Sequence, residues 1–325
     1  MTGLPRTSAE KGVKFTAADF YEAGRERLAL SVVAGAGNMD RVIREPIVNR
    51  CGLALTGFFM SFAHERLQIV GNAERMYLNT IGDDKRVEVF RQMTAHKAWI
   101  FVMTQGHKPS KRIVEYAETH GAVIFSTKLT TRLFTRLAGF LLERLGAPRT
   151  SIYGTMVEVY GLGVLFEGDP GLGKSETALG LLKGGHALIA DDLTCIRKDV
   201  GSNALFGSAS EATSGYMEIR GIGIMYVPGV FGVNAIRSEK RLDLVITLRK
   251  MSEMRGEIDR VGQTRKSRTI LGVDIPNIII PVSEGRDLVN LVETAVQQQK
   301  LVAAGYNAAM ELSEHLRRRA GHKAI

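Results

Sequence analysis

A glycine-rich run near the middle of the chain has the spacing of a phosphate-binding loop. Its residues match G-x-x-x-x-G-K-[ST] and are Gly168, Asp169, Pro170, Gly171, Leu172, Gly173, Lys174 and Ser175. A strand-like apolar run precedes the motif and a helix-like run follows it, which is the context that the motif requires. Such a loop turns backbone N–H groups toward phosphate, while its lysine neutralises phosphate oxygens and its serine binds Mg²⁺. The pattern predicts a nucleoside triphosphate site and does not distinguish ATP from GTP.

Two adjacent carboxylates, Asp191 and Asp192, follow the next strand-like run, residues 186–190. The carboxyl ends of parallel strands gather at one sheet edge, so we expect these acids near bound phosphate. Neighbouring side chains on a strand face opposite sides, which predicts different roles for the two acids. An acid near the γ-phosphate can hold a metal ion or accept the proton of an attacking hydroxyl. An NTPase, a kinase and a merely structural strand end all remain open at this point.

A second group of charged residues contains Glu218 and Arg220. Residues 217–220 have the composition of a strand, which would place both side chains on one face. An acid beside an arginine suits a metal ion with phosphate oxygens, and it equally suits an ion pair on the surface. Asp259 and Arg260 lie in a polar stretch and are similarly ambiguous.

The hydrophobic pattern predicts an α/β protein with two domains. Strand-like runs, such as residues 98–103 and 155–159, alternate with amphipathic helical runs such as residues 130–145. The Gly- and Pro-containing stretch from Gly146 to Tyr153, GAPRTSIY, is the best boundary. We therefore predict an N-terminal α/β layer domain over residues 1–146, a linker over 147–152 and a nucleotide-binding domain over 153–325.

Composition indicates a folded protein with an anionic partner. With 45% hydrophobic and 24% charged residues, the chain is neither disordered nor fibrous. The net charge of +9 favours an anionic partner, but the charge is spread out and lacks interleaved aromatic residues. This distribution argues against nucleic acid and leaves a nucleotide or an acidic protein.

Cysteine usage and hydropathy predict a cytoplasmic protein. Cys51 and Cys195 lie far apart and form no disulfide framework, as expected in a reducing compartment. The stretch MTGLPRTSAEKGVKF has no apolar signal-peptide core. No apolar run approaches the roughly 18 residues that a membrane span needs, so we expect no membrane contact.

Several stretches of the sequence resemble the HPr kinase/phosphorylase family. They are YGLGVLFEGDPGLGKSETALGLLKGGHALIADD, EIRGIGIMYV, DRVG, TILG, GYNAA and, nearer the N-terminus, NRCGLALTGFF and FAHERLQIVG. The resemblance implies a P-loop kinase domain similar to that of phosphoenolpyruvate carboxykinase. It also implies Mg²⁺- and ATP-dependent phosphorylation of a serine of HPr, the small phosphocarrier protein of the sugar phosphotransferase system. Many members reverse this by phosphorolysis with inorganic phosphate, and members are typically homohexamers.

The resemblance also assigns roles by position. It places ATP phosphates on residues 168–175 and makes Lys174 catalytic. It makes Asp191 the acceptor of the serine proton, with Ser175 and Glu218 as Mg²⁺ ligands. Arg260 would act on the transferring phosphoryl group, and the segment from Glu218 to Val227, which includes Arg220, would serve both directions of the reaction. Asp192 would support its neighbour, and the two acids would end the strand that adjoins the phosphate loop.

Three positions depart from the family pattern. Tyr153 stands where a histidine that assists the catalytic acid is usual, and a phenol does not titrate near neutrality as an imidazole does. Pro170 replaces a serine in the loop and offers neither an N–H nor a hydroxyl. Ser283 and Glu284 stand where the phosphorolysis segment usually reads Arg-Pro. These changes lead to the hypothesis that kinase activity is retained and phosphorolysis is weakened.

Two other functions fit the same residues. The scaffold could phosphorylate a different hydroxyl acceptor, or it could be a non-catalytic module that senses ATP and changes its affinity for a partner. An acceptor panel with labelled ATP separates the first, and an Asp191→Asn variant separates the second.

Overall fold

The chain forms two compact units that divide after Ala147. The computed structural model describes residues 14–199, 201–254, 266–283 and 285–306, together with residues 311 and 318. Both units combine helices and strands, which confirms the α/β prediction. Within the described residues, no helix has the length and hydrophobicity to span a bilayer.

The first unit alternates short strands with helices. Its elements are β1 (Phe15–Thr16), α1 (Ala17–Gly24), β2 (Leu30–Ala34), β3 (Val42–Ile43), β4 (Val48–Arg50), α2 (Gly52–Leu55), β5 (Leu67–Val70), α3 (Asn72–Thr80), α4 (Asp83–Ala95), β6 (Ile100–Met103), α5 (Lys111–His120), β7 (Val123–Thr127) and α6 (Thr131–Gly146). Helix α1 begins with a capping box in which Thr16 and Asp19 bond each other's backbone N–H groups. The spacing of Thr16 and Asp19, three residues apart at the start of a helical run, is that of a capping box.

A sheet in the order β2-β7-β6-β5-β4 forms the centre of this unit. Strands β4, β5, β6 and β7 run parallel, and β2 runs antiparallel to β7. One face is covered by α1 and α6 through residues such as Phe20 and Phe134. The other face is covered by α4 and α5 through residues such as Phe90 and Ile113. The sheet is thus buried on both faces, and β5, β6 and β7 consist entirely of buried residues for this reason.

At the end of β4, the exposed Arg50 pairs with the buried Glu74, and the Cys51 thiol is buried beside them. Arg50 donates from Nε and Nη2 to the two carboxylate oxygens of Glu74, at 3.1 and 2.9 Å. The Glu74 carboxylate also accepts the Gly71 N–H at 3.0 Å, which caps α3. Burial raises the pKa of the neighbouring Cys51 thiol to about 12, with a further increase from the Glu74 charge.

The second unit contains the predicted phosphate loop. Its elements are β8 (Arg149–Tyr153), β9 (Thr155–Val159), β10 (Leu162–Glu167), α7 (Lys174–Lys183), β11 (Ala187–Ala190), β12 (Leu193–Lys198), β13 (Leu205–Ser208), β14 (Tyr216–Ile219), β15 (Gly223–Tyr226), α8 (Val227–Phe231), β16 (Lys240–Lys250), β17 (Lys266–Ile270), β18 (Val273–Val282) and α9 (Leu288–Ala303). Strand β8 corrects the predicted linker over residues 147–152. Most of that stretch is a strand because its backbone pairs with β12 along its whole length.

Nine of the described strands form the main sheet of this unit. Its path runs β11-β9-β10-β16-β13-β12-β8, and β18 adds to the second half of β16 and carries β17. Strands β10, β16 and β18 are parallel. Strand β9 lies antiparallel between β10 and β11, so β10 and β11 also point the same way. The carboxyl ends of β10, β11, β16 and β18 therefore meet at one edge of the sheet.

Candidate active site

The loop after β10 has the backbone conformation that its glycines permit. Gly168 has a φ of 147°, and a Cβ there would come within 2.6 Å of the Leu248 carbonyl oxygen. Gly173 has a φ of 84° and is the residue from which α7 starts. Larger side chains would be strained at both positions, so the sequence spacing and the loop geometry agree. The loop thus leads directly into a helix N-terminus, where backbone N–H groups favour an anion.

Two cations lie at the loop. The Lys174 Nζ donates to the carbonyl oxygens of Gly168 and Asp169 at 2.7 and 3.2 Å, so the ammonium group lies inside the turn. A guanidinium nitrogen of Arg220 lies 3.4 Å from where a Gly171 Cβ would stand. Arg220 therefore lies beside the loop tip at Gly171. Together the two side chains place positive charge where phosphate oxygens would bind.

Asp191 is the polar centre of the site. Its side chain is 8% exposed, and both oxygens accept hydrogen bonds. Oδ1 accepts from the hydroxyls of Thr155 at 2.8 Å and Ser175 at 3.0 Å, and Oδ2 accepts from the Glu218 N–H at 3.1 Å. Asp191 thereby joins three segments, namely the start of β9, the phosphate-loop helix α7 and strand β14. A buried carboxylate with this many donors is compensated for its loss of hydration.

Asp192 faces away from its neighbour, as predicted, although the cause differs. Strand β11 ends at Ala190, so strand alternation does not apply to the two acids. Instead, Asp192 adopts a left-handed backbone with a φ of 62°, and its side chain is exposed. Its carbonyl accepts the Gly154 N–H at 2.8 Å, while the Leu193 N–H bonds the Asp191 carbonyl at 2.8 Å. This tight turn directs Asp191 inward and Asp192 outward.

Strand β11 is not adjacent to the loop strand, which corrects a second prediction. The sequence places the acids on the strand that adjoins the phosphate loop, but β9 lies between β10 and β11. The acids still reach the loop because β10 and β11 run parallel and α7 begins at the same sheet edge.

The Glu218 segment is a two-stranded hairpin of β14 and β15. The backbone of Glu218 contacts Asp191, and its side chain is exposed. Strand β14 ends at Ile219, so Arg220 lies in the turn beyond it. The prediction that Glu218 and Arg220 share a strand face is therefore wrong, because Arg220 reaches the loop from the turn.

The remaining predicted residues have different positions. Tyr153 ends β8, pairs with Leu193 and is 75% exposed. Pro170 is exposed in the loop, whereas Leu172 is buried and anchors the loop in the core. Ser283 follows β18 at the same sheet edge and is exposed. Arg260 and Glu284 lie outside the described residues.

Thr155 was missed by the sequence reasoning. It is 0% exposed and begins β9, and its hydroxyl donates to Asp191. The available signal was a hydroxyl residue at the start of an otherwise apolar buried strand, TMVEV. That signal alone does not indicate a partner, because the partner depends on the order of strands in the sheet.

The chemistry of the donors around Ser175 fits Mg²⁺. The groups available are oxygens, namely the Ser175 hydroxyl and the Asp191 carboxylate that it bonds, while Glu218 contacts Asp191 through its backbone N–H. Mg²⁺ prefers oxygen ligands and usually keeps several waters while binding substrate phosphates. Within the part of the chain that the structure describes, no three His, Cys, Asp or Glu side chains form a complete metal cage.

Comparisons with known proteins assign both halves of the chain to one family. Residues 17–141 match the HPr Serine kinase N terminus, and residues 144–316 match the HPr Serine kinase C-terminal domain. A protein named HPr kinase/phosphorylase from Leptospira biflexa is 39% identical over 290 residues, covering 89% of this chain and 90% of its own. Another so named, from Chloroherpeton thalassium, is 35% identical over 316 residues, covering 97% and 92% of the two chains.

A solved structure gives a further similarity. It is the Hpr(Ser) kinase/phosphatase from Coxiella burnetii, with 33% sequence identity and a TM-score of 0.46, covering 51% of this chain and 97% of its own.

Proposed function

The chain belongs to the HPr kinase/phosphorylase family, a family of protein serine kinases, and on that premise we propose that it phosphorylates a serine of HPr or an HPr-like phosphocarrier protein with ATP and Mg²⁺. One observation carries this proposal. The buried Asp191 carboxylate is hydrogen-bonded to Ser175 of the phosphate-loop helix, which supports a role for Asp191 as a proton acceptor next to a triphosphate bound at that loop.

The proposed reaction uses Asp191 as a general base. The serine hydroxyl of the acceptor protein gives its proton to Asp191, and its oxygen forms a bond to the γ-phosphorus of ATP. The bond between that phosphorus and the β,γ-bridging oxygen breaks, and ADP leaves with the electron pair. General base catalysis of this kind contributes about 10²- to 10⁴-fold in rate.

The loop residues would bind and stabilise the phosphates. Backbone N–H groups at the start of α7 would hold phosphate oxygens, and Lys174 would leave its carbonyl partners for them. Arg220 would add positive charge from the other side of the loop tip. Ser175 and Glu218 would hold Mg²⁺, whose charge neutralises phosphate oxygens when it is bound. Arg260, outside the described residues, is proposed to act on the transferring phosphoryl group.

We further propose that the reverse reaction, phosphorolysis, is weak in this protein. Tyr153 ends the strand beside the acidic turn, and a phenol does not exchange protons near neutrality as an imidazole does. Pro170 gives the loop no N–H at that position, and Ser283 gives no positive charge at the end of β18. Each substitution removes a donor or a cation from the edge at which inorganic phosphate would bind.

Incubation of phosphoserine-HPr with the protein and millimolar phosphate tests this point. We expect little pyrophosphate from the natural protein and more from a Tyr153→His variant. Rapid pyrophosphate release by the natural protein, unchanged in the variant, would contradict the proposal.

The acceptor is tested with a panel of candidates and labelled ATP. HPr should become labelled far faster than unrelated proteins or small hydroxyl compounds. Labelling of a different acceptor would replace HPr in the proposal, and ATP binding without transfer to any acceptor would favour an ATP-sensing module. A cytoplasmic location and a homohexamer complete the proposal, and light scattering of the purified protein measures the second.

A further inference from the structure

We infer that Thr155 is a positioning residue that holds Asp191 in one orientation and leaves only its Oδ2 atom free to take the serine proton. This inference rests on the proposed function. It concerns a residue on a different strand from the loop and from the two acids.

The sheet topology explains why Thr155 is at the site. Strand β9 runs antiparallel between β10, which leads into the phosphate loop, and β11, which leads into Asp191. The first residue of β9 therefore lies at the same edge as the last residues of its two neighbours. Thr155 pairs with Phe166 near the end of β10, and Met156 pairs with Ala190 at the end of β11. A side chain at this position reaches Asp191 without any loop movement.

The count of lone pairs identifies the acceptor atom. A carboxylate has about four acceptor positions, two on each oxygen. On Oδ1 both are used, by the hydroxyls of Thr155 at 2.8 Å and Ser175 at 3.0 Å. On Oδ2 one is used, by the Glu218 N–H at 3.1 Å. The position left for an incoming serine hydroxyl is thus the second one on Oδ2.

Thr155 is better suited than Ser175 to fix this orientation. It is 0% exposed, and branching at its Cβ restricts the rotation of its hydroxyl. Ser175 is only half-buried, and its hydroxyl is also the proposed Mg²⁺ ligand. Without the Thr155 hydroxyl, Oδ1 regains an acceptor position and the carboxylate can turn about its χ2 angle. Proton transfer would then begin from several orientations, of which one is productive.

The test compares two substitutions of Thr155, one that removes the side-chain hydroxyl and one that keeps it. Thr155→Val keeps the shape and removes the hydroxyl, whereas Thr155→Ser keeps the hydroxyl. From the strength of a hydrogen bond to a charged group, we expect Thr155→Val to lower kcat by about 10- to 100-fold. KM for ATP should change by less than about two-fold, since binding energy shared by the ground and transition states is untouched. Thr155→Ser should recover most of kcat.

A matched control variant and a double-mutant cycle measured by urea unfolding distinguish a positioning role of Thr155 from a general loss of stability. Thr127 is also buried and its hydroxyl bonds the Leu28 carbonyl in the first unit, so Thr127→Val should lose stability and keep kcat. Thr155→Val should shift the urea midpoint more in the natural protein than in an Asp191→Ala background, because the second lacks the acceptor.

Each outcome has one meaning. Equal kcat for the natural protein and Thr155→Val, a Thr155→Ser variant as slow as Thr155→Val, or equal midpoint shifts in both backgrounds would each overturn the inference. If the natural protein transfers no phosphoryl group, both the proposed function and this inference are refuted. If the natural protein is active and the Thr155→Val variant is equally active, only this inference is refuted.

Discussion

Replacement of Asp191 by asparagine should separate catalysis from binding and folding. The carboxylate accepts three hydrogen bonds, from two hydroxyls and one backbone N–H. The amide can turn its oxygen toward the Glu218 N–H and donate its two N–H groups to the hydroxyls of Thr155 and Ser175. All three contacts then survive without a charged partner. Each charge-assisted bond exceeds a neutral one by about 1 kcal/mol, so the loss of stability is at most about 3 kcal/mol. Relief of the buried charge reduces this loss.

The catalytic effect should be much larger than the structural one. An amide cannot accept the serine proton, so kcat should fall by about 10²- to 10⁴-fold. The melting temperature should fall by about 10 °C or less, because 1 kcal/mol corresponds to about 2–4 °C in a unit of this size. ATP affinity should stay within a few-fold, since Ser175 keeps its partner. The assays are steady-state transfer to HPr, calorimetric titration with ATP and thermal unfolding.

Two results would refute this reasoning in different ways. An Asp191→Asn variant that keeps more than about a tenth of kcat would mean that Asp191 is not the proton acceptor. Loss of ATP binding and of transfer together would make Asp191 a structural residue of the loop. An Asp192→Asn variant is the matched control, because the exposed neighbour should tolerate the same change with little effect on either quantity.

Two further predictions concern the first unit. Glu74→Gln should destabilise the protein by about 1–3 kcal/mol, because it weakens the bidentate pair with Arg50 and the cap at the Gly71 N–H. Urea unfolding measures this loss, and an unchanged urea midpoint would contradict the prediction. Cys51 should resist alkylation at pH 8 in the folded protein and react only in denaturant, because its pKa of about 12 keeps the thiol protonated. Because folding raises the pKa of this thiol, Cys51 ionises at lower pH in the unfolded chain than in the folded protein. Its ionisation therefore stabilises the unfolded state. The free energy of unfolding should therefore fall as pH rises from about 9 toward 12, and a Cys51→Ala variant should lack this component.

The local parts of the site were accessible from sequence. The phosphate loop depends on glycine positions within one short segment, and Gly168 and Gly173 have the conformations that their spacing requires. The α1 cap depends likewise on Thr16 and Asp19 alone. Apolar periodicity predicts strands such as β6 and helices such as α6, because burial against one sheet controls both.

The non-local parts required the fold. Thr155 reaches Asp191 because an antiparallel strand is inserted between β10 and β11, and no residue within β9 encodes that order. Arg220 reaches the loop from a turn because β14 ends one residue earlier than the pattern indicates. The stretch predicted as a linker is a strand for the same kind of reason, since its partner β12 lies some 40 residues later in the chain. Pairing between distant segments decides these features, and local propensity does not.

The most direct measurement of the central claim is mass spectrometry of HPr after incubation with this protein and Mg-ATP. The account predicts the addition of one phosphoryl group to a single serine of HPr, with ADP formed in equal amount. It also predicts almost no phosphorylated HPr when the Asp191→Asn variant replaces the natural protein. Unmodified HPr in the presence of the natural protein, under conditions in which that protein binds ATP, would contradict it.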